Sequence, residues 1–151
     1  MSERKVSMVD IAEKDVIKRT ALAAGKIYLK KETVEKIKEG KIKKGDPLQV
    51  GQVAALTAIK QTPILIPLCH QIPITNIKFD YEIEENYIEV FVTVETLAKT
   101  GVEMEALVGV TIFLNVIWDM VKYLEKDKNG QYPTTRIDEI RVVKKEKKMV
   151  L

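Results

Sequence analysis

Residues 77–95 read IKFDYEIEENYIEVFVTVE, and this stretch decides the predicted fold. Apolar and polar side chains alternate on both sides of Glu85-Asn86, which is the period of a β-strand with one buried face. Two such runs joined by a short polar break predict an antiparallel hairpin. Its predicted buried face comprises Ile77, Phe79, Tyr81, Ile83, Ile88, Val90, Val92 and Val94.

A long helix is predicted on each side of this hairpin. Before it, residues 47–60 have helical spacing, with Asp46 as the N-cap and Pro47 in the first turn. The predicted shared face of this helix is Val50, Val53, Ala54 and Ile59. After the hairpin, residues 102–125 are apolar at 3.6-residue spacing and on most other faces too. A helix of this kind must be covered on several sides, so we expect part of it to contact another subunit.

The two ends of the chain complete a βαββαβ order. Residues 16–29 and 136–145 have the pattern of strands, and residues 32–39 form a short amphipathic helix. This order is that of the ferredoxin-like arrangement, an α+β fold with an antiparallel sheet and helices packed on one face. Residues 1–151 are therefore predicted to be a single domain, with a basic C-terminal tail over about 144–151.

Composition limits the class of protein. The chain has 151 residues and one cysteine, which excludes an intramolecular disulfide framework, and it shows neither a signal peptide nor a long apolar span. We therefore expect a cytoplasmic protein without membrane contact. The net charge is only +3, but lysines cluster at residues 30–44 and 144–148. Such local positive fields suit an anionic small molecule as well as nucleic acid.

A polar stripe is predicted along the last helix. Asn115, Asp119, Lys122 and Lys126 are spaced by four, three and four residues, which places them on one face. One interpretation is an exposed face with a weak Asp-Lys pair. The other is a pocket or interface, where burial adjusts the pKa values of both groups for acid and base chemistry. The apolar residues around the stripe favour the second interpretation.

Reactive side chains also lie at residues 66–70 (IPLCH) and 99–107 (KTGVEMEAL), and in a compact fold these runs can converge with residues 119–122 (DMVK) on one pocket. Imidazole, carboxylate and ammonium groups together are typical of proton-transfer sites. The presence of Glu103 and Glu105 in the first turn of the last helix is also explained by the helix dipole, which favours carboxylates there. Because they are two residues apart they point to different faces, so we expect at most one of them to reach a shared ligand.

The only histidine and the only cysteine are adjacent. His70 and Cys69 cannot supply the three or four ligands of a zinc site. Cys69 is interpreted as a pocket wall, because neighbours on an extended segment point apart. His70 is either a strand-end residue with one hydrogen bond or part of the site. Lys44 opens a KGD turn and Lys60 ends the following helix, but no Walker or GxGxxG motif is present.

These runs, together with MVDI at residues 8–11 and KGD at residues 44–46, closely resemble the molybdenum cofactor biosynthesis protein C (MoaC) family, the cyclic pyranopterin monophosphate synthases. The resemblance implies a ferredoxin-like homohexamer, built as a trimer of dimers, with active sites at subunit interfaces and without metal or organic cofactor. It also implies the substrate. Family members convert (8S)-3',8-cyclo-7,8-dihydroguanosine 5'-triphosphate to cyclic pyranopterin monophosphate and diphosphate.

The resemblance assigns roles to residues by position. Asp119 matches the family's catalytic acid/base group, and Lys122 and Lys44 match catalytic lysines. The substrate-binding positions that it implies are Leu68, Cys69, His70, Glu103, Met104, Glu105, Arg19, Lys60 and Lys145. Arg19 and Lys60 are expected to bind phosphates, since a triphosphate requires several cations.

The C-terminal segment departs from the family pattern. Many members have a Gly-rich Lys-Ser-Gly-Gly-Lys segment after the last strand, whereas residues 142–148 read VVKKEKK. Lys145 is the best match to the family's tail lysine, and Lys144 is the alternative. Without the glycines, closure of this segment over phosphates is not expected.

Two other classes of protein remain as alternatives. A ferredoxin-like nucleotide- or RNA-binding module would carry an RNP1-like run of stacking aromatics, but none is present and aromatics make up only 6% of the chain. A structural oligomer without activity would use the polar stripe for assembly. The resemblance favours a lyase that acts on a small molecule, with no nucleic acid as partner.

Overall fold

The computed structural model describes residues 4–150, and the two chain ends predicted as part of the domain, residues 1–3 and 151, lie outside them. Within the described residues, one antiparallel sheet has the order β2-β3-β1-β4. The strands are β1 (Ile17–Tyr28), β2 (Ile74–Ile83), β3 (Tyr87–Ala98) and β4 (Arg136–Lys148). The helices are α1 (Lys31–Lys38), α2 (Pro47–Lys60), α3 (Thr62–Leu65) and α4 (Glu103–Glu125). The predicted α+β, ferredoxin-like arrangement is confirmed, with an open sheet.

The β2-β3 hairpin forms as its alternation predicts. Across the turn, the Glu84 backbone N–H donates to the Tyr87 carbonyl oxygen at 2.9 Å. Every predicted inward residue of β3 is fully buried, whereas Ile77 and Phe79 of β2 are only partly buried. The predicted burial of Tyr81 on β2 is wrong, because its side chain is exposed. The difference follows from position, because β3 lies inside the sheet and β2 lies at its edge.

Helix α4 is the main helix of the core. Its buried face contacts β1, β3 and α2, with Val110, Phe113, Leu114 and Ile117 fully buried. Among the described residues, only α4 is long and apolar enough to cross a membrane, but half of its apolar window is buried inside the fold. A core helix of a globular protein has the same pattern.

Of the four residues predicted to share a face of α2, Ile59 is buried and Ala54 is partly buried. Val50 and Val53 are exposed, and the buried side chains are instead those of Leu48, Ala55, Ala58 and Ile59. Gly51 explains the rotation, because a Cβ there would lie 2.6 Å from Cδ1 of Phe113. The helix therefore turns its small residues toward α4, which allows the two helices to approach closely.

Strand β4 continues beyond its predicted end at residue 145. Lys148 lies opposite Lys18 of β1, so most of the described part of the predicted basic tail belongs to the sheet. The strand is irregular, with register shifts against β1 and a positive φ of 56° at Glu139. The N-cap of α2 is as predicted, since Asp46 Oδ1 accepts from the Leu48 backbone N–H at 2.9 Å.

A buried carboxylate joins three parts of the fold at the end of α4. Glu125 is fully buried, and it accepts hydrogen bonds from the Lys30 backbone N–H at 3.1 Å, from Thr33 Oγ1 and from Thr135 Oγ1 at 2.7 Å. These donors come from the start of α1 and from the loop before β4. Glu125 therefore anchors the last turns of α4, where the polar stripe lies.

We expect Glu125→Ala to lower the free energy of unfolding by roughly 3 kcal/mol, because it leaves several buried donors without an acceptor. Urea unfolding followed by circular dichroism measures the change. Glu85→Ala is the matched control, since Glu85 pairs with Lys31 at the surface and its loss is worth less than about 1 kcal/mol. Equal effects of the two substitutions would contradict the anchoring role.

Candidate functional site

A cavity of about 460 Å³ opens at the N-terminal end of α4. It lies between the segment before β1, the loop that follows α3 and the first turn of α4. Its lining residues are Ser7, Val9, Ile11, Lys14, Leu68, Cys69, His70, Thr100, Gly101, Glu103, Met104 and Glu105. This carboxylate cavity joins two of the three reactive runs, residues 66–70 and 99–107.

Two carboxylates with different environments share the cavity. Glu105 is 4% exposed, and burial raises the pKa of its carboxyl, with a smaller contribution from the nearby charge of Glu103. Glu103 is less buried, and its Oε1 lies 3.4 Å from Nζ of Lys145 on β4. Both carboxylates line one cavity, and that at most one of them reaches a shared ligand stays a prediction.

Cys69 and His70 form another part of the cavity wall. Burial, followed by the charge of Glu105, raises the pKa of the Cys69 thiol, so the sulfur stays protonated and poorly nucleophilic. His70 Nε2 lies 2.7 Å from the carbonyl oxygen of Val9. The sulfur is therefore suited to be a wall, and the imidazole is held by a backbone group.

Asp119 is bonded by two lysines at the other end of α4. Lys44 Nζ lies 3.2 Å from Asp119 Oδ2, and Lys122 Nζ lies 3.2 Å from Oδ1. The hydrogen bond from Lys44 and then the one from Lys122 hold the pKa of the Asp119 carboxyl below its ordinary value. We call these three side chains the Asp119 cluster. The cluster can keep a carboxylate ionised between two proton donors.

A tight turn places Lys44 beside α4. Gly45 has a φ of 121°, a left-handed conformation that glycine adopts without strain. The preceding residue, Lys43, donates its backbone N–H to the Tyr123 hydroxyl at 3.0 Å. The KGD turn is thereby held against the same helix that carries Asp119.

The Asp119 cluster borders an open groove of about 460 Å³. Its lining residues are Asn115, Trp118, Asp119, Lys122 and Ile137. The side chain of Asp119 is 57% exposed. The expectation that burial adjusts the pKa is wrong for Asp119, because the two lysines lower the pKa of its carboxyl and burial opposes that shift.

The carboxylate cavity and the Asp119 cluster lie at opposite ends of α4. Glu103 and Asp119 are separated along the helix by about 24 Å at the usual rise per residue. The expectation that all three runs converge on one pocket is therefore wrong for a single chain. Within one chain, α4 therefore separates the carboxylate cavity from the Asp119 cluster.

The remaining predicted residues, Arg19, Lys60 and Lys145, line neither the carboxylate cavity nor the groove beside the Asp119 cluster. Arg19 is 5% exposed, and its Nε donates to the Ala98 carbonyl oxygen at 3.1 Å. Lys60 borders a separate open groove with Gln71, Ile72 and Ile74. Of the two tail lysines, Lys145 reaches Glu103 of the cavity, whereas Lys144 pairs with Glu146.

Sequence reasoning missed several side chains that the structure places at these sites. Ser7, Val9, Ile11 and Lys14 line the carboxylate cavity, and Trp118 lines the groove beside the Asp119 cluster. The MVDI run at residues 8–11 is a signal for the first group. Within residues 4–150, no group of three or more His, Cys, Asp or Glu side chains is arranged to hold a metal ion.

The fold and these side chains define an α+β protein with a carboxylate-lined cavity and a separate cluster of one aspartate and two lysines. Residues 8–148 match the sequence profile of the MoaC family. The chain is 56% identical over 147 residues to a Pyrococcus horikoshii protein, covering 97% of this chain and 92% of that one. It is 54% identical over 147 residues to a Thermococcus kodakarensis protein, covering 97% and 94%. Both relatives are named "Probable cyclic pyranopterin monophosphate synthase".

A relative from Archaeoglobus fulgidus has the same name and is 50% identical over 147 residues, covering 97% of this chain and 94% of its own. The chain therefore belongs to the MoaC family. Membership places it in molybdenum cofactor biosynthesis, as an enzyme of the lyase class.

Proposed function

We propose that this protein converts (8S)-3',8-cyclo-7,8-dihydroguanosine 5'-triphosphate to cyclic pyranopterin monophosphate and diphosphate. The observation that carries the proposal is the Asp119 cluster, one carboxylate bonded by two ammonium groups beside an open groove. The reaction requires several proton transfers next to a highly charged triphosphate. The names of relatives at least 50% identical to this chain support the same reaction.

In this proposal Asp119 acts as a base and the two lysines act as cations and proton donors. Its lowered pKa keeps Asp119 ionised at neutral pH. When the cyclic phosphate forms, a substrate hydroxyl oxygen bonds to the α-phosphorus and the bond from that phosphorus to the departing diphosphate breaks. The hydroxyl proton passes to Asp119, and Lys44 and Lys122 balance the charge of the leaving diphosphate.

The carboxylate cavity is proposed to hold the purine-derived ring. Carboxylates accept hydrogen bonds from the N–H edge of a guanine-like ring, and Glu103 and Glu105 both line the cavity. The raised pKa of Glu105 suits it to hold a proton that the rearranging ring must gain or lose. Leu68 and Met104 supply apolar wall, and Lys145, Arg19 and Lys60 are proposed phosphate contacts.

A complete active site is proposed to form between two copies of the chain. Each copy carries the carboxylate cavity and the Asp119 cluster at opposite ends of α4, and we call these two places the half-sites. A second chain is needed to bring one of each together. An apolar groove of about 300 Å³ beside α4 offers a surface for that contact. Its lining residues are Leu65, Ile66, Met104, Leu107, Val108, Thr111 and Ile112. We propose a cytoplasmic homohexamer, a trimer of dimers, that acts without cofactor or nucleic acid.

The direct test is incubation of the purified protein with the cyclic dihydroguanosine triphosphate. The proposal requires that cyclic pyranopterin monophosphate and diphosphate appear together in equal amounts. The alternative binding module would leave the triphosphate intact and bind RNA in a strongly salt-dependent manner. Unchanged substrate after incubation with folded protein would reject the proposed reaction.

A further inference from the structure

The segment that precedes β1 is attached to the fold through its backbone. We call residues 4–16 the N-terminal strap; it contains no helix or strand. His70 Nε2 contacts the Val9 carbonyl oxygen at 2.7 Å, and Lys99 Nζ donates to the Ala12 carbonyl oxygen at 3.2 Å. Arg19 Nη2 donates to the Asp15 carbonyl oxygen at 3.4 Å. Three side chains of the folded body therefore hold three carbonyl groups of the strap.

This mode of attachment leaves the side chains of the strap available to the cavity. Ser7, Val9, Ile11 and Lys14 are among the residues that line the carboxylate cavity. Val9 lines the cavity, and its carbonyl contacts His70. The strap is thus both part of the wall and a partner of the imidazole.

The Val9 contact determines which nitrogen of His70 carries the proton. A carbonyl oxygen can only accept a hydrogen bond, so Nε2 must be the donor. In the neutral imidazole Nδ1 is then an acceptor, and it is the ring nitrogen that remains for a ligand in the cavity. A substrate atom that faces Nδ1 must therefore carry an N–H or O–H group.

We propose that the N-terminal strap is a positioning element of the substrate site. The Val9 carbonyl holds His70 as the Nε2-protonated tautomer, which presents Nδ1 as an acceptor to an N–H or O–H group of the bound ring. Lys99 keeps the carbonyl in place by bonding the strap three residues further on. The inference rests on the proposed function only for the identity of the ring, because the tautomer is a property of the free protein.

Nitrogen NMR of protein labelled with ¹⁵N-histidine tests the tautomer, since His70 is the only histidine. We expect the full chain to show a protonated Nε2 and an unprotonated Nδ1 at a pH where the imidazole is neutral. The proton on Nε2 should exchange slowly with water. A chain that lacks residues 2–10 is expected to show averaged nitrogen shifts and fast exchange. If this chain turns over substrate, its KM should rise roughly tenfold, the loss of one hydrogen bond.

Point variants separate the backbone contact from the side chains. Val9→Ala retains the carbonyl, so its ¹⁵N spectrum should equal that of the unchanged protein. Lys99→Met removes the bond to Ala12 and should move the spectrum toward the averaged state, while Lys99→Arg keeps a donor and should restore it. If the shortened chain fails to fold by circular dichroism, the Lys99 pair provides the test.

Two results would overturn the inference. One is a full-length protein with Nδ1 protonated, and the other is an unchanged spectrum in a folded chain without residues 2–10. Neither measurement involves substrate, so failure here is distinct from failure of the proposed reaction.

Discussion

Asp119→Asn is expected to lower kcat by about a thousandfold, the size of effect that removal of a positioned general base produces. The amide has the size of the carboxylate but cannot take a proton. It also cannot balance the charges of Lys44 and Lys122, which both contact Asp119 at 3.2 Å. Assays of cyclic pyranopterin monophosphate and diphosphate formation under saturating substrate measure the change.

The fold should survive this substitution. The Asp119 cluster is exposed, and exposed ion pairs contribute little to stability because water screens them. Asp80→Asn on strand β2 is the matched control, because it makes the same chemical change away from both half-sites and should leave kcat unchanged. Substantial turnover by folded Asp119→Asn protein would reject the base assignment.

The pH dependence follows from the direction of the Asp119 pKa. Hydrogen bonds from Lys44 and Lys122 lower this pKa in the folded protein, so the carboxylate persists to more acidic pH than an ordinary aspartate. Any stabilisation of the fold by the Asp119 cluster is fully present at pH values above the pKa of Asp119 in the unfolded chain. It is lost as the pH falls through the lower pKa that Asp119 has in the folded protein. If Asp119 is the base, kcat/KM measured against pH should fall on the acidic side only below the pH range in which an ordinary aspartate titrates.

The parts of the fold that the sequence predicted are those encoded by local periodicity. The alternation in residues 77–95 fixed the inward face of β3, because an interior strand has only two faces to choose between. The face of α2 was harder to predict. The apolar residues of α2 lie on several sides of the helix. Which side is buried depends on the close approach of Gly51 to Phe113, a residue far away in sequence.

The candidate site shows the same limit. Spacing along α4 predicted that Asp119 and Lys122 lie together. Lys44 was named only through the family resemblance, and the structure places it beside Asp119 from a distant turn. Residues 66–70 and 99–107 were expected to converge and they do, but the spacing along α4 could not show that they meet at the opposite end of the helix from Asp119. The role of the strap was not predicted, because distant side chains bind its backbone carbonyls. Every residue type has such a carbonyl, so the sequence does not indicate which ones are bound.

Mixing two inactive variants is expected to restore activity if each active site is built from two chains. Glu103→Gln alters the carboxylate cavity and Asp119→Asn alters the cluster at the other end of α4. Neither homo-oligomer contains an intact pair of half-sites. In a mixed assembly, a cavity from the Asp119→Asn chain can meet a cluster from the Glu103→Gln chain, and that site is complete.

The size of the recovery is part of the prediction. With equal amounts and random assembly, about one quarter of the sites combine two intact halves, so about one quarter of the unmutated activity should return. Co-refolding followed by native mass spectrometry verifies that mixed assemblies form. Lys44→Met mixed with Asp119→Asn is the matched control, because both changes lie in one cluster and no combination of chains repairs it. If verified mixed assemblies stay inactive, or if this control recovers equally, the two half-sites do not combine across an interface.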